Sequence, residues 1–168
     1  MLVNEKLRIG EYFYPSFEKN NPIFESIISN EDKIDHNQCY GQMTKWNIRS
    51  KEIRDLVKWI QNTVKENIIE SYENISRRYN VVSTVNWGLI CNEGDYVDEH
   101  GHFPSHFSYV YYINVPEGSS PLIFTTSGYE IYPEVGKLVV FDSKLLHKVP
   151  PNNCNGRYSF SGNLTVIA

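Results

Sequence analysis

Four of the five histidines fall in the second half of the chain, and two of them form His100-Gly101-His102. In an extended backbone, residues i and i+2 project to the same face, so both imidazoles can reach one point. Two imidazoles at that spacing are half of a metal site. A third ligand has to arrive from a distant segment, and His147 stands after the apolar run Lys137-Leu-Val-Val-Phe-Asp to provide it. Such a facial set leaves positions open on an octahedral ion, which implies chemistry rather than scaffolding. Asp98 shares the alternating face of His100 and His102, as an alternative ligand or as an acceptor for an imidazole N–H. Ten residues beyond His147, Arg157-Tyr-Ser-Phe-Ser-Gly-Asn alternates as a strand, placing Arg157, Ser159 and Ser161 on one face. An inward guanidinium beside a hydroxyl is a receptor for a carboxylate. His106, after Pro104-Ser105, reads as an exposed loop histidine. His36 carries no assignment, and Trp87 and Phe141 read as core aromatics on apolar strands.

The elements that must hold these groups change character near residue 80. Between Lys51 and Tyr79 the apolar residues Ile53, Leu56, Val57, Ile60, Val64, Ile68, Tyr72 and Ile75 recur at spacings of three and four, which predicts one long amphipathic helix. Ser50 is its expected N-cap, with Glu52 in the first turn and Arg77 and Arg78 near the carboxyl end. A shorter helix is expected over Asn21 to Ser29, and Asn30 to Asn47 shows no period and reads as loop. Strands are predicted at Val81–Cys91, Phe107–Val115, Leu122–Thr126, Glu130–Ile131, Lys137–Asp142 and Arg157–Ile167, separated by Gly, Pro, Asn and Asp clusters. Many short strands after a long helix predict a mainly β fold with N-terminal helices: a sandwich or jelly roll carrying the long helix on one sheet.

With 168 residues, 40% apolar and 14% aromatic, the chain is expected to form a single domain over 1–168, with residues 1–80 as helical support and 81–168 as the jelly-roll core. A formal charge of −4 disfavours a nucleic-acid partner. No apolar run approaches the ~20 residues of a membrane span, and Met1 to Gly10 lacks the apolar stretch of a secretory signal. The expected location is cytoplasmic. Cys39, Cys91 and Cys154 form no CxxC and read as reduced thiols.

Four segments together resemble the iron(II)- and 2-oxoglutarate-dependent dioxygenases, in particular small bacterial and phage-type members distantly related to the prolyl hydroxylases. They are Glu99-His-Gly-His-Phe-Pro-Ser, Phe107-Ser-Tyr-Val-Tyr-Tyr-Ile-Asn-Val-Pro, the stretch from Tyr132 through His147 to Pro150, and Arg157-Tyr-Ser-Phe-Ser-Gly-Asn. They span roughly residues 85 to 165 in the family's order. The resemblance implies a double-stranded β-helix of the cupin-like type, with iron(II) on His100 and His147 and 2-oxoglutarate as cosubstrate. It also implies that Arg157 grips the distal carboxylate, assisted by Ser159 and by the hydroxyl of Tyr112. Dioxygen would be consumed, succinate and CO2 released and a C–H bond hydroxylated, on a peptide or protein side chain or on a small metabolite.

The chain departs from the family's commoner pattern at His102, where Asp or Glu usually stands. A neutral imidazole there leaves the metal charge uncompensated by protein. Two other readings stay open: a three-histidine cupin-like metalloenzyme that uses no oxoacid, and a non-catalytic jelly-roll binding module. From the ordinary imidazole pKa near ~6.5, metal loss is expected on mild acidification, and retention well below pH ~5 would point to a carboxylate ligand such as Asp98.

Overall fold

A computed structural model describes residues 8–69 and 79–168. Alternation of apolar and polar residues in the second half of the chain resolves into a curled antiparallel sheet. Eleven strands run β1 (Ile9–Phe13), β2 (Lys33–His36), β3 (Cys39–Thr44), β4 (Asn80–Cys91), β5 (Val97–His100), β6 (Phe107–Asn114), β7 (Leu122–Phe124), β8 (Tyr129–Ile131), β9 (Lys137–Asp142), β10 (His147–Val149) and β11 (Arg157–Ile167). Helix α1 covers Phe17–Asn30, and α2 covers Lys51–Val64 with a π-helical turn, Lys65–Ile69, after it. The spatial order is β1-β9-β6-β11-β4-β3-β5-β10-β7-β8, with β2 paired to β3. One residue pair, Cys39 opposite Val97, joins the broad part of the sheet to β5-β10-β7-β8.

Side-chain alternation decides which face does what. On β6, β9 and β11, the residues Tyr109, Tyr111, Leu138, Val140, Phe160 and Leu164 bury in one cluster with Phe24 and Ile28 of α1 and Ile53, Leu56, Ile60 and Val64 of α2. Residues of the opposite parity, Tyr112, Val139 and Phe141, pack with Leu122, Phe124, Ile131 and Val149 from the smaller group of strands. The second cluster therefore lies inside the curl and the first beneath the helices. Fully burying one such side chain contributes about 1.5–3 kcal/mol, and the first cluster draws such side chains from both helices and from the sheet. Asn21 of α1 ties the layers with polar bonds, donating to the carbonyl of Ile113 at 2.7 Å and accepting from the Tyr111 hydroxyl at 2.6 Å.

Several expectations are corrected here. The α-helical geometry from Lys51 ends at Val64, although its apolar stripe continues to Ile68 through the π turn; Tyr72, Ile75, Arg77 and Arg78 lie outside the described residues. The Ser50 cap forms as expected, its hydroxyl accepting from the Ile53 amide at 3.2 Å. Helix α1 begins four residues before Asn21, carrying Pro22 inside it. The stretch read as loop, Asn30 to Asn47, contains the hairpin of β2 and β3. Its strands carry too few apolar residues to show alternation, although β3 is paired to both β4 and β5. Among the described residues no helix is long and apolar enough to cross a membrane.

Candidate functional site

Strand pairing brings the imidazoles together. In the antiparallel ladder of β5 and β10, His100 stands directly opposite His147, and directly opposed residues share a face. His102 lies just past the end of β5, where the amide of His102 donates to the Ser143 carbonyl at 2.8 Å and fixes the turn against the segment leading into β10. The reading of His100-Gly-His102 as a continuous strand is thus only half right, since extended pairing stops at His100. The convergence is nonetheless achieved: ring centroids are 4.4 Å apart for His100 and His147, 4.8 Å for His100 and His102, and 5.1 Å for His102 and His147. One ligand nitrogen from each ring lies within 4.8 Å of the others. Asp98 is exposed and its carboxylate stands outside this group.

Hydrogen bonds choose the nitrogen that faces inward. Nδ1 of His100 lies 2.8 Å from the Asp98 carbonyl, and Nδ1 of His147 lies 2.9 Å from the Leu145 carbonyl. A carbonyl can only accept, so both Nδ1 atoms carry the proton and both Nε2 atoms present a lone pair. Phe141 closes one side, its ring 4.7 Å from that of His147, and Trp87 lies 5.8 Å from His102. Both aromatics are buried, as a core role requires, and both also line the cavity. Burial lowers the pKa of all three imidazoles. It carries His102 to about 3, with the neighbouring imidazoles adding repulsion, and His147 to about 4, with His100 adding to the effect. At neutral pH the three rings are therefore uncharged bases.

Among the strands that line the cavity, β11 is paired to β4 and β6, with Arg157 opposite Cys91 and Ser159 opposite Tyr112. Arg157 is only 1% exposed and Tyr112 is 0% exposed. The guanidinium carbon sits 5.2 Å from the Tyr112 ring centre, and one terminal nitrogen contacts the Cys91 sulfur at 3.9 Å. Neither Nε of Arg157 nor the Tyr112 hydroxyl has a hydrogen-bond partner, and no carboxylate pairs with Arg157 among the described residues. Burying a charge without a partner is strongly unfavourable. Two donors left open side by side in a cavity have the chemistry that suits an oxyanion. Burial raises the Tyr112 pKa, with the Arg157 guanidinium opposing, so the phenol keeps its proton and remains a donor. Burial likewise pushes the Cys91 thiol up to about 11, making it inert.

The cavity of about 500 Å³ is lined by the three imidazoles, Arg157, Tyr112, Ser159 and Ser161, a size typical of small-molecule sites. His106 lies outside it: its ring accepts from the Val166 amide at 3.4 Å on the surface. Lining residues that went unassigned in the sequence include His36, Gln38, Met43, Trp46 and Asn47, from the β2–β3 hairpin and the segment after it. Their only signal was a tryptophan and a histidine in a stretch without period, which composition does not distinguish from loop.

No protein-family model matches the chain, and no curated protein matches it in sequence. Solved structures do match in fold. A Pseudomonas putida prolyl-4-hydroxylase superposes with a TM-score of 0.66 at 16% identity, covering 94% of this chain and 91% of that one. The viral collagen prolyl hydroxylase of Paramecium bursaria Chlorella virus-1, in its 2-oxoglutarate complex, gives 0.62 at 15% identity, with 93% and 94% covered. HygX from Streptomyces hygroscopicus, with nickel and 2-oxoglutarate bound, gives 0.64 at 10% identity, with 93% and 82% covered. The fold is that of the 2-oxoglutarate and iron(II) oxygenases, and a group of three histidines accompanies it here.

Proposed function

We propose that the protein is an iron(II)- and 2-oxoglutarate-dependent oxygenase that hydroxylates a C–H bond of a peptide side chain or small metabolite. The observation that carries this reading is the buried, unpaired Arg157 beside the orphaned Tyr112 hydroxyl, in the same cavity as three converging imidazoles. The residues fit both groups. Three neutral nitrogen donors suit a borderline divalent metal and leave coordination positions open. The guanidinium fork with a phenolic donor suits a carboxylate. His100, His102 and His147 would hold the ion, and Arg157, Tyr112 and Ser159 the distal carboxylate of the cosubstrate.

Iron(II) with 2-oxoglutarate and dioxygen supplies oxidative decarboxylation to succinate and CO2, coupled to hydroxylation. The chain's own contribution is orientation and exclusion of water. The Asp98 and Leu145 carbonyls hold two rings in the metal-binding tautomer, Arg157 fixes the far end of the diacid, and Phe141 and Trp87 dry the walls. An oxoacid-independent metalloenzyme is disfavoured because it would leave Arg157 buried with nothing to pair. The test is oxygen uptake by the iron(II)-loaded protein. Slow substrate-free turnover should require 2-oxoglutarate and yield succinate; uptake indifferent to 2-oxoglutarate would overturn the proposal.

The pH response follows from the lowered imidazole values. With all three imidazoles lowered by burial, protons compete with the metal less than they would at free imidazoles, so metal content after dialysis should fall only at a pH below the ordinary imidazole midpoint. Burial alone explains such retention, and a carboxylate ligand is not required for it. The metal-free protein should behave oppositely. Its histidines have folded pKa values below the unfolded ~6.5, so the unfolded chain takes up more protons. Their contribution to stability is complete above that value and is lost as pH falls toward 4, which urea midpoints at pH 7, 5.5 and 4.5 would record as a steady decline.

A further inference from the structure

We propose that the molecule oxidised at this site is a small organic anion carrying a single carboxylate, received by the side-chain N–H group of Asn163. The inference rests on the oxygenase reading and narrows its substrate class.

Charge balance points to an anion. Among the described residues no Asp or Glu lines the cavity, and its one permanently charged side chain is Arg157. Asp95, Asp98 and Glu11 act on its walls only from outside. Asp98 and Glu11 are exposed, where water and salt screen them; Glu11 also pairs with Lys137 at 3.2 Å, and Asp95 accepts from the Asn92 amide at 2.8 Å. The imidazoles are neutral, so a divalent metal and Arg157 together bring three positive charges, and the diacid brings only two negative ones. Since His102 stands where the commoner pattern has a carboxylate, the loaded site keeps one positive charge inside the curl. A charge held away from water without a partner is strongly unfavourable. A monoanion removes the excess, whereas an ammonium group would enlarge it.

Hydrogen bonding points the same way. On β11, Arg157, Ser159, Ser161 and Asn163 share one parity, and all four line the cavity. Ser108 stands opposite Asn163 in the ladder with β6, and its hydroxyl donates to Asn163 Oδ1 at 2.9 Å. A hydroxyl has one proton, so Ser108 accepts from the Ser143 hydroxyl, 2.7 Å away. Both serines are buried, and the Ser143 carbonyl accepts from the His102 amide, so this relay runs from the turn that holds His102 to the carboxamide. With its oxygen engaged, Asn163 has its NH2 group to offer the cavity. His36 is set likewise: its Nδ1 accepts from the Gln38 amide at 3.3 Å, which leaves the proton on Nε2. Side chains that could present a donor or an acceptor are thus turned to present donors, the complement of a carboxylate. The six residues from Arg157 to Asn163 extend about 20 Å along the strand, farther than a five-carbon diacid held by Arg157 reaches, so Asn163 is left for a second molecule.

The experiment titrates the full chain with small carboxylates and their primary amides in matched pairs: hexanoate, 3-methylbutanoate and cyclohexanecarboxylate, each beside its amide. Binding is read by tryptophan fluorescence, since Trp46 and Trp87 line the cavity, and bound nickel and 2-oxoglutarate are measured on the same samples. With nickel(II) and 2-oxoglutarate in place, the best carboxylate should bind about ten-fold tighter than its amide, or more. In His102→Asp, which returns a carboxylate to the metal, that ratio should fall toward one. With 2-oxoglutarate and no metal the charge balance reverses, and the amide should bind the better of the two. Asn163→Leu, which keeps the size and loses the donor, should weaken the carboxylate about three-fold or more. An amide that binds the loaded protein as well as its carboxylate, a ratio unchanged in nickel-filled His102→Asp, a carboxylate indifferent to Asn163→Leu, or one that binds only by displacing 2-oxoglutarate would overturn the proposal. Failure of 2-oxoglutarate to bind, with the carboxylate preference present on nickel alone, would sink the oxygenase reading and leave the anion site standing.

Discussion

Replacing Arg157 with alanine is expected to abolish 2-oxoglutarate binding. Removing one partner of a buried, hydrogen-bonded charge pair costs about 2–5 kcal/mol, which is roughly thirty-fold to several thousand-fold in Kd. The direct readout is the weak visible charge-transfer band that iron(II) and 2-oxoglutarate give together under anaerobic conditions, and it should vanish in the variant. Arg157→Lys should recover little, because a point ammonium replaces a planar fork. A second measurement separates a ligand-binding arginine from a structural one. With no ion-pair partner among the described residues, Arg157 is a burden to the empty protein. Arg157→Met should therefore leave metal-free stability equal or higher, as replacement of buried charges by apolar side chains often does. A large loss of stability together with an unchanged band would contradict the assignment.

The second large effect concerns the imidazoles. His147→Ala and His100→Ala are each expected to reduce bound iron from about one per chain to near zero, while His106→Ala, on the surface, leaves it unchanged. The pair Asp98→Ala and His102→Ala settles the third position. Loss with His102 and retention with Asp98 is expected, since the Asp98 side chain is exposed and stands apart from the group of ring nitrogens. Asp98 hydrogen-bonds His100 through its backbone carbonyl, which the alanine keeps. Metal content by elemental analysis decides both comparisons, and the reverse pattern would make the site a two-histidine, one-carboxylate centre.

How much of this was legible in the sequence varied with how strongly each element is patterned. The strands β4, β6, β9 and β11 stand out because both of their faces bury: Leu138 to Phe141 is an unbroken apolar run. The convergence of His100, His102 and His147 was readable from spacing, and Arg157, Ser159 and Ser161 from alternation. By contrast, β5 reads Val-Asp-Glu-His and β10 only His-Lys-Val. Such short, half-polar pieces are strands because a neighbour pairs with them, which no local pattern records. The same holds for the β2–β3 hairpin, and so for the cavity residues it supplies. Tyr112 could be singled out among Tyr109, Tyr111 and Tyr112 only by resemblance. The difference between them is parity: Tyr111 points under the helices toward Asn21, and Tyr112 points inward to Arg157.

The register that sets His100 against His147 gives the metal a mechanical part as well. β10 is three residues long, and its ladder with β5 slips between His147 and Val149, so the backbone alone grips that edge weakly. A cation shared by the two opposed rings would rivet adjoining strands across that slip. Filling the centre and stiffening the pairing of β5 with β10 would then be a single event, and an empty chain would breathe at that ladder.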